Sequence, residues 1–171
     1  MLKERIARNV SPRHVALAAV FTVALAGAGS AEAQQIHTLP GSSCQASGSA
    51  QDLYYSGVSV ANRGNNTRSA VCPVERHSPT DPWQLIAVFV RDRHSSQNIS
   101  CVAQARDLYG VAGSGWSETQ STSGEGDQML SFNAPGAAIP DYGPYVVVCS
   151  LPPMEEVNQP SYISSVAIVE P

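Results

Sequence analysis

The chain has 171 residues, of which 14% are charged and 43% hydrophobic, with 13 glycines, 12 prolines, four cysteines and a formal net charge of −4. This composition excludes a disordered polyelectrolyte and a Lys/Glu-rich helical bundle, and leaves a loop-rich globular domain.

At the N-terminus, Lys3, Arg5, Arg8 and Arg13 precede an apolar run from Val15 to Gly27 and the small-residue stretch Ala31-Glu32-Ala33. That order is expected of a secretory signal peptide over 1–33, with a single disulfide-stabilised domain over 34–171. The apolar run is short and alanine-rich for a retained span, and no cysteine at its end offers a lipid attachment point, so no integral membrane association is expected after cleavage. Removal of the signal takes away four bases and two acids, leaving six arginines, twelve acids and a formal net charge of −6. The arginines at 63, 68, 76, 91, 93 and 106 are scattered. A phosphate backbone or an anionic lipid surface needs a denser basic footprint, so neither nucleic acid nor such a membrane surface is an expected partner.

Along the mature region no 3.6-residue periodicity appears; short apolar or alternating runs are separated by Gly, Pro, Asn and Ser clusters. Strands are expected at Leu53–Ala61, Ser69–Glu75, Trp83–Val90, Ser100–Leu108, Gly115–Ser123, Gln128–Asn133, Tyr145–Leu151 and Tyr162–Val169. Pro73 lacks a ladder N–H and marks an edge or a bulge in the second run. Trp83–Val90 reads WQLIAVFV, apolar enough for a central strand covered on both sides, and Tyr145–Leu151 reads as a second central strand. The acidic, proline-flanked segment 152–160 is a connector with room for one helical turn. Eight short strands at this spacing make an all-β, two-sheet antiparallel sandwich the expected fold, with a jelly-roll-like topology favoured by strand count and sheet balance.

Cys44, Cys72, Cys101 and Cys149 are separated by 28, 29 and 48 residues, unlike the close pairs of zinc or thiol-redox motifs. In an exported chain they read as two structural disulfides, and three pairings are open. Cys44 lies in a Gly/Ser-rich arm and the other three lie in strand-like runs, so one bridge is expected to fasten the arm.

Catalytic motifs are sparse. A Ser/His/carboxylate set is nominally available from His77 or His94 with Asp81, Asp92 or Asp107, but no Gly-x-Ser-x-Gly elbow is present. Acid pairs such as Asp92 with Asp107, or Asp127 with Asp141, require a measured separation before glycoside hydrolysis has meaning. His37, His77 and His94 are too scattered for a zinc site, and Gly124–Asp127 lacks the alternating acids of an EF-hand and reads as a hairpin turn. No cofactor or metal is therefore expected. Among the aromatic residues, Trp116 stands in a Gly/Ser-rich setting and is the candidate ligand-binding residue. The expected function is a secreted noncatalytic structural or binding module, periplasmic or extracellular, with an unknown protein or glycan partner. The alternative is a small secreted hydrolase, with glycans as a candidate substrate.

Cys44-Gln45, the run Gly57–Asn62, Val71-Cys72-Pro73, Asp92-Arg93 ahead of Cys101, and Cys149-Ser150-Leu151-Pro152-Pro153 together resemble a family of small secreted bacterial proteins with four cysteines and no assigned activity. The likeness covers most of the mature region. It implies structural cysteines and export, and it transfers no catalytic residue. The approach Pro79–Trp83 and the Glu155-Glu156 stretch depart from that pattern.

Overall fold

Strand residues in this chain alternate between buried and half-buried positions, as in Tyr145–Leu151, where every second side chain is inside. The computed structural model describes residues 34–48, 53–77, 83–106, 112–134 and 143–171, all within the unit Gln34–Pro171, and side chains from residue 116 onward in the fourth of these stretches. Among the described residues there are eleven strands: β1 (Gln35–Pro40), β2 (Gln45–Ala46), β3 (Leu53–Ser56), β4 (Ser59–Asn62), β5 (Arg68–Val74), β6 (Leu85–Asp92), β7 (Ser100–Arg106), β8 (Ala112–Ser121), β9 (Gly126–Asn133), β10 (Tyr145–Leu151) and β11 (Tyr162–Glu170). The helical content of these residues is a single 3-10 turn at Gly41–Ser43.

The strands form two antiparallel sheets. One has the order β3-β4-β11-β6-β9, with β1 also paired to β11; the other has the order β2-β5-β10-β7-β8. From β4 onward the chain alternates between the sheets, except at β7 to β8, which are neighbours within one sheet. That is the jelly-roll order. The turn at 122–125 therefore crosses between sheets, where a hairpin was expected, because β8 and β9 belong to different sheets.

The core is built from complementary faces. The six-stranded sheet turns Val60, Ile86, Val88, Val90, Leu130, Phe132, Ile163, Val166 and Ile168 inward, whereas the five-stranded sheet presents mostly small residues, including Ala70, Ala103 and Ala105. Large against small lets the sheets close on one another. Both disulfides lie on this second face: Cys101–Cys149 joins directly opposite residues of β7 and β10, and Cys44–Cys72 fastens the arm ahead of β2 to β5. Their loops of 28 and 48 residues correspond to about 4 kcal/mol of stabilisation each on the chain-entropy model.

Several expectations change. Leu53–Ala61 is two strands: Gly57, with φ +50°, occupies the first position of a tight turn that folds β3 onto β4. Gln35–Pro40, assigned no structure from sequence, is a full strand along the C-terminal half of β11. β6 is central, but its outer face is open enough to leave Phe89 39% exposed, so it is not covered on both sides. The connector after β10 contains no helix; it bends through Asn158, at φ 66°. Pro73 falls beyond two-residue β2, where β5 has β10 on one side alone, so its missing N–H costs no ladder bond.

Candidate functional site

Two buried polar residues at strand ends organise one end of the sandwich. Asp92, the last residue of β6, points inward like Val88 and Val90, and it must be satisfied there. Its Oδ1 accepts from the Ser161 hydroxyl at 3.0 Å and the His94 N–H at 3.1 Å, and its Oδ2 accepts from the Ile99 N–H at 3.0 Å and from the Thr122 hydroxyl. Asn62, the last residue of β4, donates through Nδ2 to the carbonyls of Asn66, Leu151 and Pro152 and accepts from the Gly64 N–H. Four connections are thereby tied to the strand ends: 63–67, 93–99, 122–125 and 152–161.

Three of these connections, 93–99, 122–125 and 152–161, border a polar cleft of about 370 Å³ lined by residues that include Arg91, Arg93, Ser95, Glu125, Asp127 and Glu155. Arg91 of β6 lies directly opposite Asp127 of β9 and engages both its carboxylate oxygens. That bonding raises the Arg91 pKa and holds the Asp127 carboxyl below its ordinary value. Glu155 is also held low, first by the Ser95 backbone N–H and then by the Ser95 hydroxyl, both at 2.7 Å.

The residues named for catalysis do not assemble into a triad. Asp92 binds the backbone of His94 and not its ring. The His94 Nδ1 accepts from the N–H groups of Ser96 and Gln97, so although it stands 3.4 Å from Glu155 it is not the donor to that carboxylate. The Ser161 hydroxyl, which does reach a carboxylate, is buried. His77 stacks on His37 at 5.4 Å and gives its backbone N–H to buried Glu170, which also receives Arg76. Asp81, Asp107 and Asp141 lie outside the described residues, as does the run Pro79–Pro82 ahead of Trp83. Among the described residues no group of three or more His, Cys, Asp or Glu side chains is placed to hold a metal ion, and no helix is long and apolar enough to cross a membrane.

Trp116 shares the inward parity of Glu118 and Gln120, the residues of β8 opposite Ala103 and Cys101. Its half-buried ring meets buried Trp83 edge-on at 5.0 Å, and Trp83 in turn meets Tyr145 at 5.7 Å. Beside it, Glu118 accepts the Asn133 N–H and so links the free edges of the two sheets.

Sequence reasoning did not reveal the outer face of the six-stranded sheet. Pairing puts Tyr54 of β3 opposite Ala61 of β4, Ala61 opposite Tyr162 of β11, Tyr162 opposite Arg91, and Arg91 opposite Asp127. Directly opposed residues share a face, so these five form one row across the sheet. Between the two tyrosines, small Ala61 leaves an open groove of about 400 Å³ that also takes in Arg63, Arg93 and Ser164. The Arg63 guanidinium lies over the Tyr54 ring at 3.5 Å. In the next row Phe89 lies opposite Met129, which is 53% exposed, and a shallower hollow beside them shares Ser164 with the groove and Asp127 with the polar cleft. The tyrosines were visible in the sequence, but the row depends on register between strands more than 90 residues apart.

The fold and this face define an antiparallel jelly-roll sandwich with an open aromatic groove on its six-stranded sheet. No protein-family model and no curated protein matches the chain. Among solved structures, the chain is similar to a family two carbohydrate esterase from Cellvibrio japonicus (11% identity over 81% of this chain, TM-score 0.48), of which it spans 35%. It is also similar to a low-affinity xylan-binding module from Roseburia intestinalis (12% identity, 81% of this chain and 96% of that one, TM-score 0.46) and to the xylan-binding module CBM15 (16% identity, 81% and 97%, TM-score 0.45).

Proposed function

We propose that the chain is a secreted, noncatalytic module that binds saccharide along the outer face of its six-stranded sheet. The observation that carries this reading is the Tyr54–Ala61–Tyr162 row. Two tyrosines stand two strand spacings apart, about 10 Å, on either side of a small residue. That spacing suits two linked sugar rings, whose C–H faces pack on aromatic rings while their hydroxyls meet polar groups at the margins. Tyrosine supplies both an apolar face and a polar tip. The adjoining Phe89–Met129 surface extends the apolar strip, and a contiguous exposed strip of this kind marks a contact surface.

Export through a cleaved 1–33 signal to the periplasm or medium of a bacterium belongs to the same reading, and two formed disulfides in the core support it. Asp127 and Glu155, two of the acids that line the polar cleft, are both shifted down, the opposite of what the general acid of glycoside hydrolysis needs.

The test is calorimetric titration of the oxidised, exported chain with a panel of oligosaccharides. Replacement of Tyr162 by Ala is expected to weaken any binding about tenfold, with the melting temperature retained. Binding that survives Tyr162→Ala and is lost in Trp116→Ala would move the site to the Trp83–Trp116 end and contradict the proposal.

A further inference from the structure

The arginines of this acidic chain are unevenly engaged. Arg91 is bound to Asp127 and Arg76 to Glu170. Arg63 and Arg93 both line the Tyr54–Tyr162 groove, and among the described residues neither is within ion-pair distance of a carboxylate. Arg63 lies on the Tyr54 ring, and Arg93 donates through Nη1 to the neutral side chain of Gln159 at 2.8 Å. Among the described residues the groove has no acidic side chain: its remaining lining is Ser, Asn, Pro, Ala, Val and Tyr. The carboxylates of the surface gather beyond Arg93, in the polar cleft that this residue also borders.

Two cations therefore face one aromatic groove whose described lining holds no acid, on a chain whose net charge is negative. A ligand that adds no anion leaves Arg63 on the Tyr54 ring alone and Arg93 with only the longer-range attraction of Asp127 across the cleft. A carboxylate or sulfate is the group that a planar guanidinium fork binds best, through paired N–H donors.

We infer that the groove takes an acidic saccharide, its anionic substituent held between Arg63 and Arg93 while its ring lies against Tyr162. This inference rests on the saccharide reading of the same face and adds the ligand's charge class. The Arg63–Tyr54 stack fixes one guanidinium in advance, so little side-chain freedom is lost when the anion arrives. Placement of the polar cleft's acids beyond Arg93 gives the ligand an orientation, since an anionic chain is repelled from that side.

The test compares three matched sets of oligosaccharides against the exported chain by calorimetry: neutral, uronate-bearing and sulfated. At least one acidic set is expected to bind about tenfold or more tightly than the neutral set, with an affinity that falls as salt is raised. The tighter of the two identifies the anion as carboxylate or sulfate. Arg63→Gln and Arg93→Gln are each expected to erase most of that preference, while Arg63→Lys retains part of it because the charge remains and the planar fork is lost. Neutral and acidic sets binding equally, both weakened by Tyr162→Ala and indifferent to the arginine variants, would overturn the inference and leave the sheet-face reading standing. Binding by none of the three sets would overturn both. A melting curve for each variant separates lost binding from lost fold.

Discussion

Asp92 illustrates how one buried side chain determines the form of the surface around it. A carboxylate that points into the core is tolerable when its oxygens are saturated by donors, and here two N–H and two hydroxyl groups converge on it. Asp92→Asn replaces one acceptor oxygen by a donor that must face other donors. The expected cost is about 2–4 kcal/mol, read as a lower urea midpoint with an unchanged slope. An unchanged midpoint would mean that the connections 93–99, 122–125 and 152–161 are held by something else. Asp127 acts more weakly because it is exposed. Its folded pKa is lowered, so the stability it adds is present above the unfolded value and is lost as pH falls through the folded one. Melting temperature is therefore expected to drop less on acidification from neutral pH in Asp127→Asn than in the unmodified chain. An equal drop in both would show that its bond to Arg91 adds nothing measurable.

At the scale of elements, the contact between the Gly41–Ser43 turn and β11 positions one wall of the groove. β11 changes register between Ile163 and Ser165, beside the tyrosine at its start, and Gly41 packs against that irregularity. A Cβ at Gly41 would stand 2.1 Å from the Ile163 carbonyl oxygen, backbone that cannot swing aside. Gly41→Ala is expected to cost about 1–3 kcal/mol or more, and to broaden amide signals in β11 ahead of those in β10. Full stability in that variant would show that the turn is free to shift. The central strands were legible in the sequence because β-branched and apolar runs such as Val146-Val147-Val148 have few other solutions in a short, proline-bounded segment. β1 was not, because Gln35–Pro40 alternates weakly and is a strand through its pairing with the far end of the chain. The β3–β4 turn was missed although Ser56-Gly57 is a turn signal, because apolar alternation resumes at Val58 and Val60 and masks the break.

At the scale of the whole molecule, the sandwich divides its labour between its sheets. The five-stranded sheet carries both disulfides and supplies the small side of the core. The six-stranded sheet supplies the large side chains inward and presents tyrosine, phenylalanine, methionine and arginine outward. The covalent bracing thus lies on the sheet opposite the aromatic groove. The two-sheet class and the structural role of the cysteines followed from composition and spacing. The pairing of the cysteines and the groove did not, for a common reason: both are properties of register. Cys72 is selected by its place beside β2, and the groove unites residues 54, 61, 63, 93 and 162 only after β11 has returned between β4 and β6. Trp116 drew notice because its neighbours are Gly and Ser, yet local composition does not disclose that its parity turns it towards Trp83.

The most direct test is an amide and side-chain chemical-shift titration of the isotopically labelled, oxidised chain with the tightest-binding oligosaccharide. Saccharide held on the six-stranded sheet predicts saturable shifts concentrated at Tyr54, Ala61, Arg63, Tyr162 and Ser164, with the outer positions Val146 and Val148 of β10 unmoved. Shifts confined to the five-stranded sheet or to the Trp83–Trp116 end, or none at saturating ligand, would contradict it.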